Sequence, residues 1–263
     1  MNGTSTPGKP TDVSVFIPHL DDPQSRPLMV KMARIFLQIG AMGEMEKFGR
    51  EMRLPTLAKR LSKQAFRLYD QYLIYTTGRL QKKGWQVYCS PGCGSCCHSM
   101  PAGISTWEFL LIYDQLAQSG EVERFFRRNL ESCQVLSRVR WRRSGEFLGR
   151  LRIHENGYDT VLHAYGMEQH PCAFLSDSQQ CLIYSARPLP CRMHFALTPP
   201  ELCSPTHPRF SQAVRLNLSP HADVQQALQR IDARLNLTIS DLLAPGFVTL
   251  AANVMRFSAI SWI

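Results

Sequence analysis

The sequence predicts a mainly α protein: a compact helical domain built around a cysteine-rich, loop-based metal site, with only short β segments. Three observations predict it. Apolar residues recur at helical spacing on both sides of the chain's middle, capping signals bracket those stretches, and eight of nine cysteines fall in two loop-like clusters amid glycine and proline.

At 263 residues and 44% apolar content the chain is long enough to bury a sizeable core, which excludes disorder throughout. Its formal charge of +9 takes no account of thiolates formed on metal binding, and four of them around a doubly charged cluster core remove about two charges. The remaining basic excess is mild, so an acidic or protein partner fits and nucleic acid is not expected. The opening MNGTSTPGKPTD has no apolar core of signal-peptide length, and no later stretch reaches the ~20 apolar residues of a membrane span. A cytoplasmic chain without membrane contact is therefore expected. There, cysteines serve as metal ligands rather than disulfides.

In chain order, residues 1–26 read as a flexible N-terminal lead with one short ordered piece at 13–17. Residues 27–84 read as a helical N-terminal extension. It holds a Met-rich helix over 27–49, whose Met29, Met32, Met42 and Met45 are read as core filler. A second helix follows over 55–83, with Leu57, Leu61, Ala65, Leu68, Tyr72 and Tyr75 on one face, Pro55 at its start and Gly84 at its stop. The cysteine-cluster module spans 85–205. Within it, Ser105-Thr106-Trp107-Glu108 has the form of a capping box opening a helix over 106–118. Gly120 breaks that helix, and another runs over 122–138.

An arginine-rich stretch follows (Arg124, Arg127, Arg128, Arg138, Arg140, Arg142, Arg143, with Trp141 among them), read as a solvated helix face because no nucleic-acid-binding motif accompanies it. Residues 146–165 read as short strands or irregular chain. Residues 206–263 form a C-terminal helical segment packed on the module: a helix over 219–235 with Val224, Leu228, Ile231 and Leu235 on one face, then a helical stretch over 240–257 interrupted near Pro245-Gly246.

The cysteines carry the chemistry. CSPGCGSCCH at 89–98 supplies Cys89, Cys93, Cys96 and Cys97, and the segment 171–203 supplies Cys172, Cys181, Cys191 and Cys203. Close spacing lowers the entropy of gathering thiols around an ion, and Gly and Pro let the loop turn sharply. Because Cys96 and Cys97 are adjacent, their side chains diverge in extended chain, and both need not serve one centre. Cys133, on a helix, stands outside as a small buried residue. His98 and His194 are placed to replace a thiol, but eight thiols already supply two tetrahedral sites. Four-thiolate sites serve zinc and iron–sulfur clusters alike. The C-x3-C-x2-C spacing of the first three cysteines also occurs in radical S-adenosylmethionine enzymes, yet no run of βα units follows it.

The first cluster, then Pro171-Cys172-Ala173-Phe174-Leu175, Cys181-Leu182-Ile183-Tyr184, Arg187-Pro188 and Cys191-Arg192, resembles a bacterial cysteine-cluster family of zinc- or iron-chelating proteins. That family carries a CxxCxxCC-like cluster, a C-P-F-L box and a C-x-I-Y…R-P…C-R box. This chain departs from it at Ala173, where proline is usual, and in the three residues between Cys89 and Cys93. The resemblance implies that Cys89, Cys93, Cys96, Cys97, Cys172, Cys181, Cys191 and Cys203 hold metal; Arg187 and Arg192 match its boxes too, and each either offsets thiolate charge or serves packing and loop pinning. The expected function is a metal-binding protein holding an iron–sulfur cluster (such as 4Fe-4S) or iron, with zinc the alternative, acting in metal handling or as a structural or redox partner. A relation to flagellin lysine N-methylases implies an alternative, a cluster-dependent enzyme acting on a protein or peptide. S-adenosylmethionine enters only there, and no catalytic residue can be named for it.

Overall fold

The computed structural model describes residues 22–90, 92–148 and 157–263. Helix α1 (Ser25–Gly40) buries Met29, Met32, Ala33, Phe36 and Ile39, the stripe expected of an amphipathic helix facing a core. Asp22 anchors its start, accepting hydrogen bonds from the Gln24 and Ser25 amides at 3.0 and 2.9 Å. The expected single helix over 27–49 is broken: Met42 is extended, a 3-10 turn covers Gly43–Lys47, and a short α2 (Phe48–Glu51) follows. Gly40 and Gly43 flank the break, where backbone freedom disfavours a continuous helix. Met29, Met32 and Met45 are buried as expected.

Strand β1 (Arg53–Leu54) leads into α3 (Thr56–Lys82). The core-facing stripe of α3 is Ala58, Ala65, Phe66, Tyr69, Tyr72 and Leu73, so the face is rotated from the expected one and Leu57 is left 39% exposed. Helix α4 (Thr106–Gln118) starts with the predicted capping box, Glu108 N–H donating to Ser105 Oγ and Ser105 N–H to Glu108 Oε2. Its Trp107 is fully buried and donates from Nε1 to Ser62 Oγ at 2.9 Å.

Helix α5 (Val122–Leu148) runs ten residues past its expected end, because the arginine stretch contains no strong breaker. Its arginines are largely engaged: Arg124 with Glu121, Arg127 with Glu123, Arg142 with Glu168, and Arg128 with the Leu175 carbonyl. Of the strands or irregular chain expected over 146–165, the first three residues lie in α5 and the part from 157 on is helix α6 (Gly157–Met167), while 149–156 lie outside the described residues. Val161, Leu162 and Tyr165 pack onto the core at helical spacing. The ordered piece expected at 13–17 lies outside the described residues.

The second cysteine segment contains α7 (Leu189–Arg192) and β2 (His194–Ala196), which pairs antiparallel with β3 (Arg215–Asn217), and α8 (Ala222–Leu235) follows. Helix α9 (Leu243–Thr249) continues through Pro245-Gly246, contrary to the expected interruption. Proline in a first helical turn forfeits no hydrogen bond. Gly246 also lies so close to Phe109 and the Ser240 carbonyl that no Cβ would fit. The chain relaxes only afterwards, in a π turn at Leu250–Val254.

Helix α1 packs on α3 and α8, while α4 joins that trio through α8 and presents its other side to α5 and α9. Strand β4 (Ser261–Trp262) pairs in parallel with β1, Arg53 opposite Ser261 and Leu54 opposite Trp262. One apolar core runs through all these elements. Among the described residues, no helix is long and apolar enough to cross a membrane.

Candidate metal centre

The cysteine loop lies between α3 and α4, and backbone hydrogen bonds hold it from two sides. On one side, Tyr88 N–H donates to the Ala196 carbonyl at 2.9 Å, and Ala196 N–H donates to Cys89 Sγ at 3.1 Å, so β2 fixes Cys89. On the other, Cys172 N–H donates to the Cys97 carbonyl at 2.6 Å. This bond seats the second cysteine segment directly on the first. Cys96 and Cys97 lie in a 3-10 turn, Ser95–His98, entered through the left-handed Gly94.

The second segment is folded on itself. Leu175 and Cys181 form a β-bridge and Leu182 N–H donates to the Phe174 carbonyl at 2.9 Å, which returns Cys181 towards Cys172. Short α7 then presents Cys191. Glu108 of the capping box accepts from Leu189 N–H at 2.6 Å with its second oxygen, pinning α7 to the start of α4. Cys203 ends the 3-10 turn Pro200–Cys203, which packs against the Ser95–His98 turn.

The eight predicted ligand residues are therefore neighbours. Cys89 lies within electrostatic range of Cys93, Cys96 and Cys203, Cys97 of Cys172 and Cys191, and Cys191 of Cys172, Cys96 and Cys181. All eight are free thiols, Cys96 exposed and the other seven half-buried. Among the described residues, no three His, Cys, Asp or Glu side chains have already converged on one metal-binding point. Cys133 is apart from the group, and burial pushes its thiol up.

Burial pushes Cys89 up to about 11 and Cys172 up to about 12, and raises Cys181, Cys191 and Cys203 as well. Cys96 moves the other way: the Cys97 thiol hydrogen-bonds to it, with Arg187 and His98 adding to the effect, and draws it down to about 6. The same shared proton and burial drive Cys97 upward.

The two expected arginines separate. Arg187 stays with the thiols: it donates to the Cys191 carbonyl and stacks 5.9 Å from the Tyr184 ring centroid. Burial opposes its charge, and Cys191, Cys96, Cys181 and Cys97 outweigh that effect and raise its pKa. Arg192 is committed elsewhere, bonded to the Arg187, Tyr184 and Ser185 carbonyls and to Asp70 Oδ1 at 2.9 Å, with Phe66 beneath it. It ties the second segment to α3, while its charge still favours the Cys181 thiolate. His98 is likewise occupied, its Nδ1 at 3.0 Å from the Gln169 carbonyl oxygen.

Sequence reasoning missed the parts that join the segments. Gln179 packs against Gly94 so tightly that a Cβ there would overlap its amide. The left-handed Gly94 was readable as a turn, but its distant neighbour was not. The capping box was readable too, whereas the use of Glu108 to hold α7 requires the fold.

The donor set fits a thiophilic metal. It offers eight soft sulfur donors on neighbouring segments, turns that permit close approach, and the half-buried Arg187 facing several of the thiols. No curated protein and no solved structure matches the chain. Residues 88–207 do match a family model, that of the CxxCxxCC cysteine-cluster family, described as a "putative zinc- or iron-chelating domain".

Proposed function

We propose that this chain is a non-catalytic metal protein that holds iron, preferentially as an iron–sulfur cluster, through Cys89, Cys93, Cys96, Cys97, Cys172, Cys181, Cys191 and Cys203. The observation that carries this reading is the Cys172 to Cys97 backbone bond, which joins two cysteine segments far apart in sequence at their thiol-bearing residues. A bound cluster would supply one-electron chemistry, whereas zinc would supply a fixed cross-link. The protein's own contribution is to gather the thiols, bury them, and set Arg187 against their charge. The helices on either side act as the scaffold of this module. The role fits metal handling or a structural or redox partnership.

Anaerobic purification with iron, zinc and sulfide analysis tests the proposal. A brown protein whose visible absorbance bleaches on reduction supports it, and a colourless protein with stoichiometric zinc moves the reading to a structural site. Substituting Cys97 or Cys172 by Ser should lower metal content and melting temperature together, because metal binding contributes to folding. Parent-level metal content and melting temperature in both variants would sink it.

A further inference from the structure

We infer that the outward face of α3 docks an acidic amphipathic helix of a partner protein. Such docking goes beyond the metal-binding reading and holds whichever metal the thiols take.

Leu57, Arg60, Gln64, Arg67, Gln71 and Ile74 follow one another along α3 in alternating steps of three and four residues, and all six are exposed. Steps of that kind keep side chains in one straight seam, the spacing by which one helix lies along another. At 1.5 Å per residue the seam is about 26 Å long. Lys63 borders it, and a groove of about 580 Å³ lies along its first turns, between Leu57 and Arg67.

The charges on this helix are one-sided. Helix α3 carries six cations and a single carboxylate, Asp70. Those turned towards neighbouring elements are matched: Lys59 with Asp114 at 2.6 Å, Arg79 with Asp22 at 3.0 Å, and Asp70 with Arg192 at 2.9 Å. Along the seam, Arg60, Lys63 and Arg67 form no ion pair among the described residues. By contrast, the exposed Arg124 and Arg127 of α5 have carboxylates beside them, Glu121 and Glu123. Lys63 and Arg67 stand four residues apart, where like charges repel each other, and carboxylates brought from outside relieve that repulsion.

Apolar residues close the seam at both ends, Leu57 and the 71% exposed Ile74, and a phosphate backbone has no use for them. No aromatic side chain on the seam offers a nucleobase a stacking surface. The partner that fits is a helix with carboxylates opposite Arg60, Lys63 and Arg67 and apolar residues towards its ends. Asp70, one turn from Arg67, holds Arg192 of α7, so the seam borders the segment that carries Cys191.

Fluorescence anisotropy tests this on the full chain with a labelled synthetic helix, bearing Glu along one face and Leu at both ends of that face, and with a single-stranded oligonucleotide titrated in parallel. The peptide should bind the parent, lose affinity as salt screens the charges, and bind R60E/R67E about tenfold or more weakly. K31E/R34E makes the same charge change on exposed positions of α1 and should leave the affinity near the parent's. L57S/I74S should weaken binding at every salt concentration, because apolar contact is not screened. Should R60E/R67E lose its helical circular dichroism, R60Q/R67Q takes its place, with a smaller loss expected. A parent that does not bind the peptide overturns the proposal, as does parent affinity in either seam variant. An equal loss in K31E/R34E overturns it too, by showing net charge alone at work. Tighter binding of the oligonucleotide, abolished by R60E/R67E, overturns it in favour of nucleic acid.

Discussion

Gly94 decides how closely the two cysteine segments approach. It sits at φ +61°, and a Cβ would overlap the Gln179 side chain, itself on a backbone at φ +61°. Gly94→Ala therefore combines about 1–2 kcal/mol of left-handed strain with displacement of the neighbouring loop. Thermal melts and metal analysis should show both stability and metal content reduced, and G94A/Q179A should recover part of each because the overlapping amide is gone. Parent values in G94A would show that the contact does not govern assembly. The arginines teach a related lesson. Arg187 and Arg192 both match family boxes, which left thiolate pairing and loop pinning open for each, and Arg192 spends its donors on three carbonyls and Asp70. Which hydrogen-bond acceptors surround a side chain is settled by chain segments distant in sequence.

At the scale of elements, the junction of α4 and α8 holds a titratable feature. Asp232 of α8 accepts from the Thr106 and Trp107 amides at 3.0 Å each, capping α4 across the core. Burial pushes it up to about 6 from 3.8, so the folded state holds its proton more tightly than the unfolded chain does. Its contribution to stability is present below pH 4 and lost as pH rises through 6, amounting to at most about 3 kcal/mol. Urea unfolding of parent and Asp232→Asn from pH 4 to 7 checks this: D232N should gain on the parent as pH rises, and a constant difference would refute it. Element identity was readable where one periodicity ran unopposed, as in α3, α4 and α8. It failed at 157–165, where a short helix with aromatic and β-branched residues reads like strand, and at Pro245, which helix geometry tolerates in a first turn. The thiol-bearing loops were readable as loops because glycine, proline and cysteine spacing are local signals. Their mutual arrangement was not, since it depends on the Cys97 to Cys172 bond and the β2 edge.

For the whole molecule, the proposed metal site would couple metal binding to folding. Burial raises Cys89, Cys172, Cys181, Cys191 and Cys203, so binding must displace protons and affinity should increase with pH. Each proton released contributes about a tenfold rise per pH unit. Competition with a chelator between pH 6 and 8 measures that slope, and a pH-independent affinity would contradict thiol ligation. Removing the metal should also lower the melting temperature of the full chain. The placement of Cys97 far ahead of Cys172 has one more consequence, this time for the order of events during synthesis. The 89–97 loop emerges from the ribosome as a complete set of four thiols long before its partner segment exists. An ion captured at that moment closes a short local chelate, favoured by its small loop entropy. Recruiting Cys172, Cys181, Cys191 and Cys203, as the proposed function requires, then needs that chelate to be undone. Metal delivered after folding avoids the detour, so the timing of supply selects between a trapped local complex and the assembled protein.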